Sequence, residues 1–157
     1  MNKFDEILNN LKKLNPEEEG KRVISKNLSW FEKANRGQML EGKTKDNTEI
    51  TPSYLNDPFF KSPETAAKYA RWKQNITPNP KRRFETPNLI INGYFHASVQ
   101  AIAQSNGLKF DTIVSLGRKI TRKFKNVLGL TNTNIALFNK EFIKPSIKQH
   151  IKNTLKI

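Results

Sequence analysis

At 157 residues and 18.1 kDa the chain has the length of one domain, 1–157, enough to bury a single modest core. It contains no cysteine, which excludes disulfides, thiolate metal sites and cysteine nucleophiles. Its formal charge of +14 is divided unevenly: residues 1–80 hold 14 Lys/Arg against 11 Asp/Glu, and residues 81–157 hold 14 against 3. The basic field therefore belongs to the second half, where it attracts phosphates or acidic protein surfaces without carrying sequence information.

The N-terminus, Met-Asn-Lys-Phe-Asp-Glu, is polar from its first residues, and no stretch approaches the roughly 20 apolar residues that span a bilayer. The chain is expected to be made and kept soluble, with no membrane partner. Phe4, Ile7, Leu8, Leu11 and Leu14 recur at three- and four-residue spacing, which predicts an amphipathic helix over 3–14 stopped by Pro16. Glu17 to Gly20 read as an acidic hinge, and 1–20 is expected as a separate helical arm. Val23, Ile24, Leu28, Phe31 and Met39 then mark a longer helix from about Lys21 to Leu40, ended by Gly42.

Residues 42–62 are irregular, with one helical turn expected at Pro52–Leu55. Ser62 as N-cap, Pro63 at the first helical position and Glu64 beside the positive helix end predict a helix over 63–74. Three prolines then surround Lys81-Arg82-Arg83, which predicts an exposed basic loop. From Phe95 to Gln104 the residues alternate, and Leu108 to Ile113 alternate again across Ser105-Asn106-Gly107. This predicts a hairpin at about 95–115 with Asn106 and Gly107 in its turn. Helical spacing returns over 118–128, with Ile120, Phe124, Val127 and Leu128 on one face and Arg118, Lys119, Arg122, Lys123 and Lys125 on the other. After Gly129, Thr131 to Asn134 cap a C-terminal helix within 130–157 whose stripe is Ile135, Phe138, Phe142, Ile143, Ile147, Ile151 and Leu155, kinked at Pro145.

Residues for catalysis or metal binding are sparse. His96 and His150 have no partner at metal-ligand spacing and are read as structural. The seven glycines are scattered singly, so no phosphate-cradling loop is present, and no serine sits in a nucleophile elbow. The second half has only Glu85, Asp111 and Glu141 as carboxylates. No catalytic residue, no cofactor and no metal are expected, and the chain is read as not an enzyme.

The run Gln38 to Ser98 resembles the tail-completion, virion-morphogenesis or neck proteins of tailed bacteriophages and prophages. The matching residues are Gln38 and Gly42 at the end of a helix, Ile50, Ser53 and Tyr54, Thr65 and Lys68 on a helix, and Leu89, Gly93, Phe95 and Ser98. Leu128-Gly-Leu-Thr131, followed by Phe142 and Pro145, is similar to that family's ending. The resemblance implies an α+β virion structural subunit without catalytic residues. Such a subunit forms a homo-oligomeric ring of six or twelve copies at the head-to-tail junction, against portal or connector and tail proteins, assembled in the host cytoplasm. The physical reading beside it is a basic cytoplasmic nucleic-acid-binding accessory protein.

The fold expected is therefore α+β: a helix-rich single domain with a small antiparallel sheet and terminal amphipathic helices. Lys81, Arg82, Arg83, Arg118, Lys119, Arg122, Lys123 and Lys125 are expected to contact DNA or an acidic partner. Phe4, Ile7, Leu11, Phe138, Phe142, Ile147 and Ile151 are expected at subunit interfaces, because their stripes are long for the core that one such domain offers.

Overall fold

The structure, a computed structural model, describes residues 3–156, with side chains from Asp5 onward. Helix α1 (Lys3–Leu11) is followed by α2 (Pro16–Lys26). Pro16 starts a helix as well as ending one: Asn15 accepts a hydrogen bond from the Glu18 N–H at 3.1 Å, Pro16 takes the first turn, and Glu17 to Glu19 lie at the positive helix end. The expected hinge is thus the opening turn of α2. The long helix expected from Lys21 is divided at Asn27, whose side-chain amide donates to the Val23 carbonyl at 2.7 Å while its own N–H turns to Ile24. That local competition with the helical ladder separates α2 from α3 (Leu28–Leu40).

A 3-10 turn at Tyr54–Asn56 precedes α4 (Pro63–Ile76), where Ser62 accepts from the Thr65 N–H at 3.2 Å as its cap. The segment expected to begin a strand at Phe95 is instead a short helix, α5 (Tyr94–Ser98), entered from Gly93 at φ +81°. Its buried residues, Phe95, His96 and Ser98 with Val99 after them, follow helical rather than alternate spacing. The polar ones are satisfied inside: His96 Nε2 lies 2.8 Å from the Asn88 carbonyl, and the Ser98 hydroxyl meets Phe95 O at 2.8 Å and Thr112 Oγ1 at 2.7 Å.

Strands β1 (Val99–Gln104) and β2 (Gly107–Thr112) form an antiparallel hairpin in the register Val99 to Thr112 through Gln104 to Gly107. Its turn is Ser105-Asn106, one residue earlier than expected, and Gly107 opens β2 at φ +149°, where L side chains are strained. Helix α6 (Ser115–Lys123) follows and stops at Phe124.

The C-terminal helix has three parts: α7 (Asn132–Phe138), a π-helical turn (Asn139–Ile143) and α8 (Lys144–Leu155). Pro145 lacks an N–H and its ring crowds the carbonyl four residues back, so the preceding turn widens and Lys144 bonds to Asn139, five residues back. The irregularity that the sequence assigns to Pro145 lies just before it.

Two apolar clusters form the interior. Met39, Ile50, Phe95, Val99, Phe124 and Val127 make one; Val23, Phe31, Ala101 and Phe138 make the other, with Trp30 and Phe142 against it. Strand β1 lies on α3 and joins them, sending Val99 to the first and Ala101 to the second. The Glu32 carboxylate accepts from the Ala101 N–H at 3.2 Å, so one backbone donor of this short sheet's edge is met by a side chain of α3. The architecture is α+β, helix-rich with a two-stranded antiparallel sheet.

Candidate interaction surfaces

The basic loop is not a free loop. Arg82 is 4% exposed and donates to the Thr86 carbonyl at 2.8 Å and the Thr77 carbonyl at 3.0 Å, so it holds the loop together from inside. Gly42 makes this possible, because a Cβ there would stand 2.6 Å from Thr86 Cγ2 and 3.1 Å from Arg82 Cγ. Lys81 reaches Glu41 at 2.9 Å, and Arg83 pairs with Glu85 and Glu49. The expectation that this triplet points outward together is corrected for Arg82: a guanidinium with two backbone acceptors is a structural clamp. Thr86 bonds Glu49 at 3.3 Å and Asn88 bonds Thr77 at 2.8 Å, closing the rest of the loop.

On α6 the cations divide by face. Arg118, Lys119 and Arg122, with Lys125 beyond the helix, are exposed and form no ion pair among the described residues. Lys123 is different: its ammonium lies 2.6 and 2.8 Å from the two Asp57 oxygens, and 5.2 and 5.9 Å from the Phe124 and Phe59 ring centres. Asp111 accepts from the Lys109 ammonium at 3.0 Å.

Beside Lys123 lies a mostly apolar cavity of about 360 Å³ between α4, α6 and residues 87–91. Tyr69, Leu89, Ile120 and Phe124 line it, and Phe59 and Ile91 stand at its lips, each 78% exposed. The ring of Trp72 adjoins Tyr69 at 5.4 Å between centroids and is itself half exposed. In the wall sits Lys73, 1% exposed, whose ammonium donates to the Ile90 carbonyl and has no carboxylate partner among the described residues. Burial, with the nearby Arg82 guanidinium, pulls the Lys73 amine down to about 8. Burial likewise raises the Tyr54 phenol to about 12.

Sequence reasoning missed this cavity. Two signals pointed to it: Asp57-Pro-Phe-Phe60 puts adjacent aromatics in a polar segment, and Ala66, Ala70 and Lys73 at helical spacing place a lysine on the buried face of α4.

The residues expected at subunit interfaces are distributed between core and surface. Phe138 is 3% exposed, its ring centre 4.3 Å from Phe31 and 4.9 Å from Phe142, so both phenylalanines belong to the second interior cluster. That corrects the interface assignment for Phe138, whose ring is covered within the chain, while Ile135 of the same stripe stays exposed. Ile147 and Ile151 are half-buried on α8 among Lys144, Lys148 and Lys152. Ile7 and Leu11 on α1 stay well exposed although α1 packs on α8, and the side chain of Phe4 lies outside the described residues. Glu19 ties α2 to α8 by accepting from the Ser146 hydroxyl, and the Arg22 guanidinium with that hydroxyl holds its carboxyl down to about 2.

The chain matches none of the protein families, curated proteins or solved structures with which it was compared. Among the described residues no group of three or more His, Asp or Glu is placed to hold a metal ion, and no helix is long and apolar enough to cross a membrane.

Proposed function

We propose that this chain is a head-to-tail neck or tail-completion subunit of a tailed phage virion, acting in a ring against connector and tail proteins and without catalysis of its own. The observation that carries the reading is the meeting of the two separate stretches of the resemblance at Gln38. Gln38 is 5% exposed; its Nε2 donates to the Gly129 carbonyl at 2.7 Å, and its Oε1 accepts from the Thr131 N–H and the Asn134 amide, both at 3.1 Å. Asn35, one turn earlier, donates to Val127 O at 2.9 Å and Gly129 O at 2.6 Å. A Gln of one motif thus satisfies the backbone of a motif some ninety residues later.

Six of the other matched residues also hold demanding places, whereas Thr65 and Lys68 are exposed on α4. Gly42 and Gly93 adopt positive φ, Ile50, Tyr54, Phe95 and Ser98 are buried, and the Tyr54 N–H bonds Glu85 O at 2.8 Å. Motifs that together build one framework support a shared fold more strongly than scattered identities do. The apolar side chains left exposed on α1 supply contact surface for subunit association.

The test is to label the chain in intact virions of the phage or induced prophage that encodes it. Label at the head-to-tail junction, with tailless heads accumulating when the gene is deleted, is the expected result. Its absence from purified virions overturns the proposal.

A further inference from the structure

We propose that the groove between α4, α6 and residues 87–91 is a docking site for an acidic peptide segment of a partner protein, anchored in the cavity by an aromatic or aliphatic side chain.

The groove has the shape and lining for an anchor. Its cavity of about 360 Å³ is walled by Tyr69, Leu89, Ile120 and Phe124, a volume suited to a large apolar side chain and part of a second. Phe59 and Ile91 at the lips are each 78% exposed, and such side chains gathered round one cavity leave a contiguous apolar patch in water. Side chains of this kind are typical anchoring positions once a partner excludes the solvent.

The charge around the groove selects the sign of that partner. Helical spacing places Lys119 one turn before Lys123 on the flank of α6 that borders the cavity, and α6 carries no acidic residue. Lys68, next to Tyr69 and one turn before Trp72, is exposed on α4. Lys73 lies in the wall with a backbone carbonyl as its acceptor and no carboxylate. The one acid in the lining, Asp57, is already taken by Lys123. A segment with carboxylates flanking an apolar anchor is the complement of this arrangement.

Nucleic acid fits less well. The cations best turned toward a phosphate backbone, Arg118 and Arg122, lie half a helical turn or more from Ile120 and so face away from the cavity. A second copy of this chain is also disfavoured: the half-buried stripe of α8 is flanked by Lys144, Lys148 and Lys152, which repel a basic rim, and Glu6 of α1 is paired with Lys156. The groove and its occupant are independent of the neck assignment, since any acidic, apolar-anchored partner meets the same chemistry.

The experiment measures fluorescence anisotropy of a labelled twelve-residue peptide of Asp and Glu carrying two Phe one helical turn apart, titrated with the full chain. Saturable binding is expected, falling with added salt, and at least about tenfold weaker for the peptide with both Phe replaced by Ser or with its acids replaced by Lys. Phe59→Ser with Ile91→Ser, at exposed positions that leave the core intact, is expected to weaken binding about tenfold, and Lys119→Glu to weaken it and flatten the salt dependence. Arg118→Gln with Arg122→Gln should leave peptide binding unchanged. The proposal is overturned by absence of saturable binding, by equal binding of the Ser peptide, or by a lip variant that binds as the wild type does. It is also overturned if a single-stranded oligonucleotide of the same length binds the groove more tightly than the peptide and loses affinity in the lip variant. Sedimentation in which the lip variant alone loses self-association would assign the groove to a second copy instead.

Discussion

Arg82 and Lys73 are cations in the interior that rest on backbone carbonyls rather than on carboxylates. For Arg82 the acceptors are the two ends of its own loop, at Thr77 and Thr86, so Arg82→Met leaves both carbonyls without their donor. With about 1–3 kcal/mol lost for each unsatisfied buried group, the variant should be about 2–4 kcal/mol less stable in urea unfolding, and the 77–88 loop should become protease-sensitive. For Lys73 the signature is pH dependence. Its folded value of about 8 lies below the ordinary 10.5, so between those limits the unfolded chain binds more protons and stability rises with pH. Tyr54 acts in the opposite sense: its folded value of about 12 lies above 10, so its contribution is present below pH 10 and is lost as pH rises toward 12. Urea midpoints measured at pH 7.5, 8.5 and 9.5 should climb in the wild type and stay flat in Lys73→Met.

Among the elements, α6 depends on how closely it approaches the hairpin. Gly117 lies over Thr112, and a Cβ there would stand 2.0 Å from Thr112 Oγ1 and 2.8 Å from its Cγ2. Gly117→Ala must therefore push α6 away from β2 and is expected to cost about 1–3 kcal/mol. Thr112→Ala alone loses its bond to Ser98. In the double variant the contacts with Oγ1 and Cγ2 are gone and only the one with Thr112 Cβ, at 2.8 Å, remains, so a thermodynamic cycle should show favourable coupling between the two alanines; simple additivity would mean that α6 is not seated on Thr112. The same approach aims the α6 cations: with Ile120 and Phe124 turned inward, Lys123 lines the cavity and Lys119 precedes it by one turn, while Arg118 and Arg122 face outward.

Over the whole molecule, the basic residues divide between buried, paired and unpaired positions. Of the eight basic residues singled out in the sequence, Arg82 is interior, and Lys81, Arg83 and Lys123 have carboxylate partners. Any direct DNA contact thus falls chiefly to Arg118, Lys119, Arg122 and Lys125. Replacing Arg118, Arg122 and Lys125 with Gln should lower the slope of log affinity against log salt by up to about three units if those residues meet phosphates, and an unchanged slope would remove DNA from their role. Assembly should depend on the other end of the chain. Ile7→Ser with Leu11→Ser, at exposed positions on α1, is expected to abolish ring formation in sedimentation velocity while the thermal midpoint stays within a few degrees. A full loss of stability would show that the α1 stripe serves the monomer.

Local chemistry was legible wherever neighbouring residues suffice. Ser62-Pro63-Glu64 and Thr131 to Asn134 capped helices as expected, because a cap is settled within one turn, and Ser105 to Gly107 placed the hairpin to within a residue. The same cap signature at Asn15-Pro16-Glu17 is legible too, but a proline that ends one helix hides that it begins the next. What alternation could not reveal was the meaning of a polar residue. His96 and Ser98 lie in an alternating run that reads as a strand, whereas Asn88 and Thr112 satisfy them in the interior and the chain there is helical. Arg82 read as exposed for the same reason: charge in a proline-rich loop implies water until a glycine forty residues earlier makes room for a side chain and two carbonyls turn inward to accept it. Sequence by itself determined composition, the basic second half, the absence of thiol chemistry and most helix starts, all of which depend on residue type or on contacts within a turn. Only tertiary structure decided which cations are free, which aromatics stay exposed and where a cavity opens, because those depend on which distant segments meet.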